Sequence, residues 1–133
     1  QIYDDALSNP EKVEKIILLT GKVYWDLISY INQKQVSRDN FAIVRVEQLY
    51  PLDKDLLLSL IDKYSKAKKI VWFQEEPQNM GAWCYIFESL ADSLPRRLKL
   101  NYIGRAKSAS PATGSFAKHN LEQEEIIENL LRF

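Results

Sequence analysis

Residues 69–83 read KIVWFQEEPQNMGAW. Lys69 to Phe73 is a continuous apolar run of strand length. Two adjacent carboxylates, a proline and a glycine follow it, and then a helical stripe of Trp83, Ile86, Phe87, Leu90 and Leu94. An apolar run without polar alternation is what a strand buried on both faces requires, and a polar turn leading into an amphipathic helix marks the carboxyl end of a parallel strand. The same order occurs twice upstream. KIILLT (15–20) ends at Gly21 and precedes a helix predicted from Val23, Tyr24, Leu27, Ile28 and Ile31. FAIVRV (41–46) precedes Pro51, a predicted Asp53 cap and a stripe of Leu56, Leu57, Leu60, Ile61 and Tyr64. Further on, Leu98, Leu100 and Tyr102 alternate with Lys99 and Asn101, which predicts a half-exposed strand near an edge. Leu121, Ile126, Ile127, Leu130 and Leu131 mark a last helix. Strands alternating with helices at this spacing predict an α/β fold in three layers, a mostly parallel sheet flanked by helices and joined by right-handed crossovers.

The chain has 133 residues, 46% of them apolar, enough for the core of one domain spanning 1–133, with residues 1–14 as an extended lead-in. Lys plus Arg (18) balances Asp plus Glu (18), so no global field favours nucleic acid or an anionic membrane, and no apolar stretch reaches membrane-spanning length. Cys84 is the lone cysteine and has no partner for an internal disulfide, which fits a reducing compartment; it flanks an apolar stripe and reads as a small buried side chain. The first apolar run starts at Ile16 behind acidic residues, unlike a secretory leader. A chain that opens on Gln1 and has its only methionine at Met80 is expected to be a piece of a longer protein.

Ligands of open α/β sheets bind outside the carboxyl ends of the strands, where this chain has three polar stretches: 20–22, 74–81 and 104–115. Glu75 and Glu76 lie in the second. Adjacent residues of an extended chain point to opposite sides, so the two carboxylates do not converge on one bond; the alternative is that one caps the next helix or pairs with a base while the other is solvated. Gly21-Lys22 ahead of a helix could meet an anion, but neither the dinucleotide fingerprint nor the P-loop spacing accompanies it. From Ser93 to Leu121 there are six basic residues, Arg96, Arg97, Lys99, Arg105, Lys107 and Lys118, and no acid. At its centre Arg105, Lys107, Ser108 and Ser110 form a candidate phosphate or carboxylate site with His119, the only histidine; the plainer reading is a solvated basic face balanced by Glu122, Glu124, Glu125 and Glu128. No motif sets a nucleophile beside His119, so a hydrogen-bonding role outweighs catalysis. Trp25, Trp72 and Trp83 read as core or interface.

Four motifs in order, TGKVYWDL (20–27), RVEQLYPL (45–52), VWFQEEPQNMGAW (71–83) and GRAKSASPATG (104–114), resemble the C-terminal region of the 2-oxoglutarate dehydrogenase family over nearly the whole chain. His119 stands where that family has a histidine after SASPAxG. Ala106-Lys107 replaces the family's usual Pro-Ala pair, which implies a less rigid, more basic loop. The resemblance implies a transketolase C-terminal-like sheet of about five strands, carried at the end of a multidomain enzyme. It implies a parent that decarboxylates 2-oxoglutarate on thiamine diphosphate with magnesium and passes the succinyl group to a lipoyl-bearing second component. The cofactor-binding GDG motif belongs to preceding domains and does not occur here, so no catalytic, cofactor-binding or metal-binding residue is expected in this piece. It further implies homodimer contacts, with Gln74, Glu75, Glu76, Asn79 and Trp83 as interface or loop-organising residues. In some relatives this domain forms part of a regulatory nucleotide or acetyl-coenzyme A site. A related 2-oxoadipate-type dehydrogenase is the alternative parent. The Lys- and Ile-rich composition leans to a bacterial, cytoplasmic source; a eukaryotic one would place the parent in the mitochondrial matrix.

Overall fold

The computed structural model describes residues 1–5, 9–107 and 116–133, without the side chains of 116 and 117. Five strands form one sheet: β1 (Ile2–Asp5), β2 (Lys15–Leu19), β3 (Phe41–Val46), β4 (Lys69–Pro77) and β5 (Leu100–Arg105). Their order is β1-β3-β2-β4-β5; β1 runs antiparallel to β3 and the other pairings are parallel. Four helices flank the sheet: α1 (Val23–Lys34), α2 (Lys54–Lys63), α3 (Trp83–Leu90) and α4 (Phe116–Arg132). This is the expected three-layer, mostly parallel α/β sheet.

The central strand explains the layering. All five residues of β2 are buried. Ile16 and Leu18 join Leu57 and Ile61 of α2 and Ile86 and Leu90 of α3 on one face. Ile17 and Leu19 join Leu27 and Ile31 of α1 and Ile127 and Leu130 of α4 on the other. Each fully buried leucine or isoleucine contributes about 1.5–3 kcal/mol, so both faces of KIILL are needed to hold four helices. Asp53 caps α2 as the sequence predicts, its Oδ1 accepting from Leu56 N at 3.1 Å. The Tyr50–Pro51 peptide leading to it is cis. β5 is an edge strand, again as read from its alternation.

Several elements differ from the sequence reading. The lead-in over 1–14 contains a strand and a 3-10 turn at Pro10–Lys12. In β1 the two acids alternate sides and tie the strand to both layers. Asp4 accepts from Tyr64 Oη at 2.6 Å and from Lys63 Nζ at 2.8 Å, while Asp5 accepts from Tyr24 Oη at 2.5 Å and faces Arg38 at 3.3 Å. β4 continues four residues past Phe73, so Glu75 and Glu76 lie in a strand and not in a turn. Leu56, Phe87 and Leu121, each placed on an apolar stripe, are exposed, because a helix on a flat sheet buries a narrower arc than its full stripe. Cys84, expected inside, is exposed. Ile86 and Leu90 of α3 face the core, and Cys84 is rotated about 200° from Ile86. Among the described residues no helix is long and apolar enough to cross a membrane.

Candidate functional site

In the strand order, β3 lies on one side of β2 and β4 on the other. The crevice outside the carboxyl ends of β2 and β4 is therefore the switch point at which sheets of this kind bind ligands. An open cleft of about 500 Å³ lies there, lined by Thr20, Leu49, Tyr50, Gln74, Glu76 and Tyr85 among others.

The organiser of this rim is Gln74, which is 3% exposed. Its Oε1 accepts from Trp72 Nε1 at 2.9 Å and from the Trp83 amide at 3.1 Å. Its Nε2 faces the carbonyls of Met80 at 2.8 Å, Pro77 at 3.0 Å and Glu76 at 3.2 Å. The indole and the amide can only donate and the carbonyls can only accept, so the orientation of the side-chain amide is forced. One residue thereby holds the end of its own strand, the 77–80 turn and the first N–H of α3. Ala82 at that helix start offers no side-chain cap, so a buried glutamine supplies the cap.

Glycines make the clamp possible. Gly81 has φ +69°, and a Cβ there would sit 2.6 Å from Glu76 Oε2 and 3.1 Å from Gln74 Oε1. A Cβ on Gly104 of β5 would sit 2.5 Å from both Gln74 O and Tyr102 Oη. Tyr102 closes the far side, its hydroxyl placed to donate to Arg105 O at 2.6 Å or Glu76 O at 3.1 Å. Burial pushes this phenol up to about 12. Trp83, half-buried, packs on Phe87 and Tyr102 with ring centroids 5.3 and 5.4 Å away.

The two glutamates diverge as extended geometry requires. Glu75 faces the α1 side, where its field is one of the causes that raise the Lys22 ammonium, after the hydrogen bond from Lys22 to Asp26. Glu76 lines the cleft on the opposite side, and burial, followed by the charge of Glu75, raises its carboxyl above the usual range. Asn79 is exposed in the turn between them and α3.

Of the residues expected to hold an anion, the structure joins two. Arg105 Nη2 lies 2.7 Å from His119 Nδ1. A guanidinium only donates, so His119 presents the lone pair of Nδ1 and carries its proton on Nε2. Arg105 Nε also lies 3.5 Å from Glu122 Oε2, which balances its charge. Lys107 is exposed, and Ser108 and Ser110 lie outside the described residues. Beside this group, Asp26 accepts from Lys22 at 2.6 Å and from Gln123 Nε2 at 3.1 Å, joining α1 to α4. Thr20 lies in the first of the polar stretches expected at the strand ends, whereas the sequence reading missed Tyr50, Tyr85 and Tyr102 as rim residues; only the alternation of Tyr102 with Asn101 gave a signal for any of these three. Among the described residues no group of three or more His, Cys, Asp or Glu side chains could hold a metal ion. Among the described rim residues, Glu75 and Glu76 lie on opposite sides of their strand, so these two carboxylates do not converge on one ion.

A family model described as 2-oxoglutarate dehydrogenase C-terminal matches residues 1–131. The chain is 48% identical over 123 residues to a 2-oxoglutarate dehydrogenase E1 component of Rickettsia typhi, covering 90% of the chain and 13% of that protein. It is 48% identical over 120 residues to the E1 component of a Geobacillus species, with 90% and 12% covered. To that of Cupriavidus necator it is 41% identical over 127 residues, with 96% and 13% covered. The chain thus spans 12–13% of the length of these relatives. A solved structure titled split gene transketolase, inactive beta4 tetramer, superposes with a TM-score of 0.62 at 14% identity, covering 98% of this chain and 41% of that one. That likeness is one of fold.

Proposed function

The chain belongs to the 2-oxoglutarate dehydrogenase C-terminal family, and from that premise we propose that it is the non-catalytic carboxyl-terminal domain of a 2-oxoglutarate dehydrogenase E1 component, serving to support the active-site domains and the contact between two copies of the parent. In this reading the parent decarboxylates 2-oxoglutarate and passes the succinyl group to the lipoyl-bearing second component. Thiamine diphosphate, held with magnesium by the preceding domains, supplies the electron sink for decarboxylation, chemistry that side chains lack. The residues of this domain bind, orient and brace. The relatives named above are bacterial, which favours a cytoplasmic enzyme.

The observation that supports a bracing role is the use to which the rim's polar groups are put. Gln74 spends both ends of its amide on the strand, the turn and the helix start, and the Tyr102 hydroxyl bonds the Glu76 and Arg105 carbonyls and the Gln74 side chain. Such a rim is preorganised as a surface and not as a set of groups converging on a reacting bond. The test is to delete residues 1–133 from the parent and to assay both parts. The isolated 133-residue chain should release no carbon dioxide from 2-oxoglutarate in the presence of thiamine diphosphate and magnesium, and the truncated parent should lose its dimer mass in light scattering. Turnover by the isolated chain, or an unchanged dimer after deletion, would overturn the proposal.

A further inference from the structure

Glu76 is a carboxylate for which the fold makes room without giving it a counter-charge. Gly81 leaves the space in which its Oε2 lies. None of the ion pairs between described residues includes it. Arg105, the basic residue whose field reaches it, is already engaged by His119 and Glu122. Desolvation and the neighbouring charge of Glu75 both work against its ionised form, so its position costs the isolated domain stability.

Its surroundings are those of a cation site. Tyr50 and Tyr85, whose ring centroids are 6.3 Å apart, line the same cleft as Glu76, together with Leu49 and Trp72. A half-buried carboxylate next to aromatic faces attracts a guanidinium or ammonium group on an apolar stem, through charge and through the ring quadrupoles together. The cleft is also too open for a small ligand to account for. Tyr50 stands 83% exposed on its border, and a second concavity lined by Gln1, Glu47, Gln48, Leu49 and Tyr50 continues it toward β1. A polypeptide would cover both hollows and the Tyr50 ring between them, whereas a free amine would fill only the first.

We propose that this cleft receives an arginine or lysine side chain from another part of the parent protein, with Glu76 as its counter-ion and Tyr50 and Tyr85 as its aromatic walls. This rests on the reading that the chain is one domain of a longer E1 protein, and it names the chemistry by which the rest of that protein grips the rim. Glu76 and the incoming cation offset each other's desolvation once paired, so the carboxylate that destabilises the free domain stabilises the assembled one.

The test labels the intact parent with carbodiimide and glycine methyl ester and reads each carboxyl by peptide mass spectrometry. Glu75 and Glu76 are both half-buried in this domain, so Glu75 is the reference carboxyl on the same strand. The expected result is that Glu76 reacts slower than Glu75 by about tenfold or more, the protection that rare local opening gives. Tyr50→Ala should return much of that reactivity, and Glu76→Gln should lower the melting temperature of the intact parent. A direct amide between Glu76 and a lysine outside residues 1–133 identifies lysine as the occupant; protection without that cross-link identifies arginine. Equal labelling of Glu75 and Glu76 overturns the proposal. So does protection that appears only when n-butylguanidinium is added, which would make the cleft a site for a free cation. Failure of the domain assignment reads out separately, as a parent without 2-oxoglutarate decarboxylation whatever the labelling pattern.

Discussion

Replacing Gln74 with leucine keeps the side-chain volume and removes every polar contact of the clamp. Trp72 is fully buried, so its indole N–H is left without a partner; an unsatisfied buried donor costs about 1–3 kcal/mol. The partly buried Trp83 amide adds about 1 kcal/mol, and so does the buried Pro77 carbonyl, which keeps its bond from Met80 N at 2.8 Å. The leucine recovers about 1–2 kcal/mol by burying apolar surface where an amide had been. The net loss is then about 1–4 kcal/mol, a large share of a typical domain stability of about 5–15 kcal/mol. Urea unfolding of the 133-residue chain, followed by tryptophan fluorescence, should show a lower midpoint with an unchanged slope. Gln74→Glu separates hydrogen bonding from volume. Its carboxylate can accept from Trp72 and Trp83, but it has no proton for the carbonyls of Glu76, Pro77 and Met80, and on acidification it regains one. The gap between Gln74→Glu and wild type should therefore narrow as pH falls, while that of Gln74→Leu stays flat. A Gln74→Leu protein within about 1 kcal/mol of wild type, or parallel pH dependences for the two variants, would refute the clamp.

Lys15 gives a prediction with a defined sign. Burial, and then the charge of Lys69, lowers its ammonium from 10.5 to about 8, while its Nζ donates to Leu130 O at 2.6 Å at the end of α4. Between those two values the unfolded chain binds more protons than the folded one, so wild-type stability should rise with pH across that window, and Lys15→Met should lose the rise. Matching slopes for the two proteins between about pH 8 and 9.5, below the range where tyrosines ionise on unfolding, would sink the assignment. Gly81→Ala should cost about 1–2 kcal/mol for its left-handed backbone, plus the cost of displacing the Glu76 carboxylate 2.6 Å away. In the Gly81→Ala, Glu76→Ala pair the second part should disappear, leaving a coupling that chemical denaturation can measure; strict additivity would mean that Glu76 does not lie over residue 81.

Where burial is two-sided the sequence was legible. KIILL, FAIVRV and KIVWF carry no alternation because helices cover both faces of the sheet, and Asp53 announces its helix through a cap that needs only local chain. Elements whose partners come from far along the chain were not legible. Nothing in IYDD marks it as a strand, since Asp4 and Asp5 find Tyr64, Lys63, Tyr24 and Arg38 only after those residues have been brought to the sheet edge. Cys84 looked internal because apolar neighbours surround it in sequence, whereas α3 is short and buries only Ile86 and Leu90. At the rim, the residues by themselves pointed to the charges of Glu75 and Glu76, and only the resemblance included Gln74, the uncharged residue with five side-chain partners. Its partners stand at positions 72, 76, 77, 80 and 83, a set with no periodicity that a sequence window could detect.

The pleat of β4 assigns the three polar residues after Phe73 to different tasks. Gln74 and Glu76 share one side of the strand, so the buried amide and the cleft carboxylate are held in fixed relation by a single backbone segment, with Gly81 pressed against both. Glu75 faces the other way, toward Lys22, whose bond to Asp26 continues through Gln123 to α4. The strand end therefore touches both helical layers at once. A force applied to Glu76 by a docked partner would be carried by Gln74 into the start of α3 and by the strand itself toward Lys22 and α1. Loss of the Glu76 charge leaves the Gln74 bonds intact, whereas loss of Gln74 frees the turn that places Glu76. Variants at position 74 should thus weaken both the domain's own stability and its assembly, and variants at position 76 should weaken assembly while stabilising the free domain. That opposition in sign separates a residue that holds the rim from one that meets a partner across it.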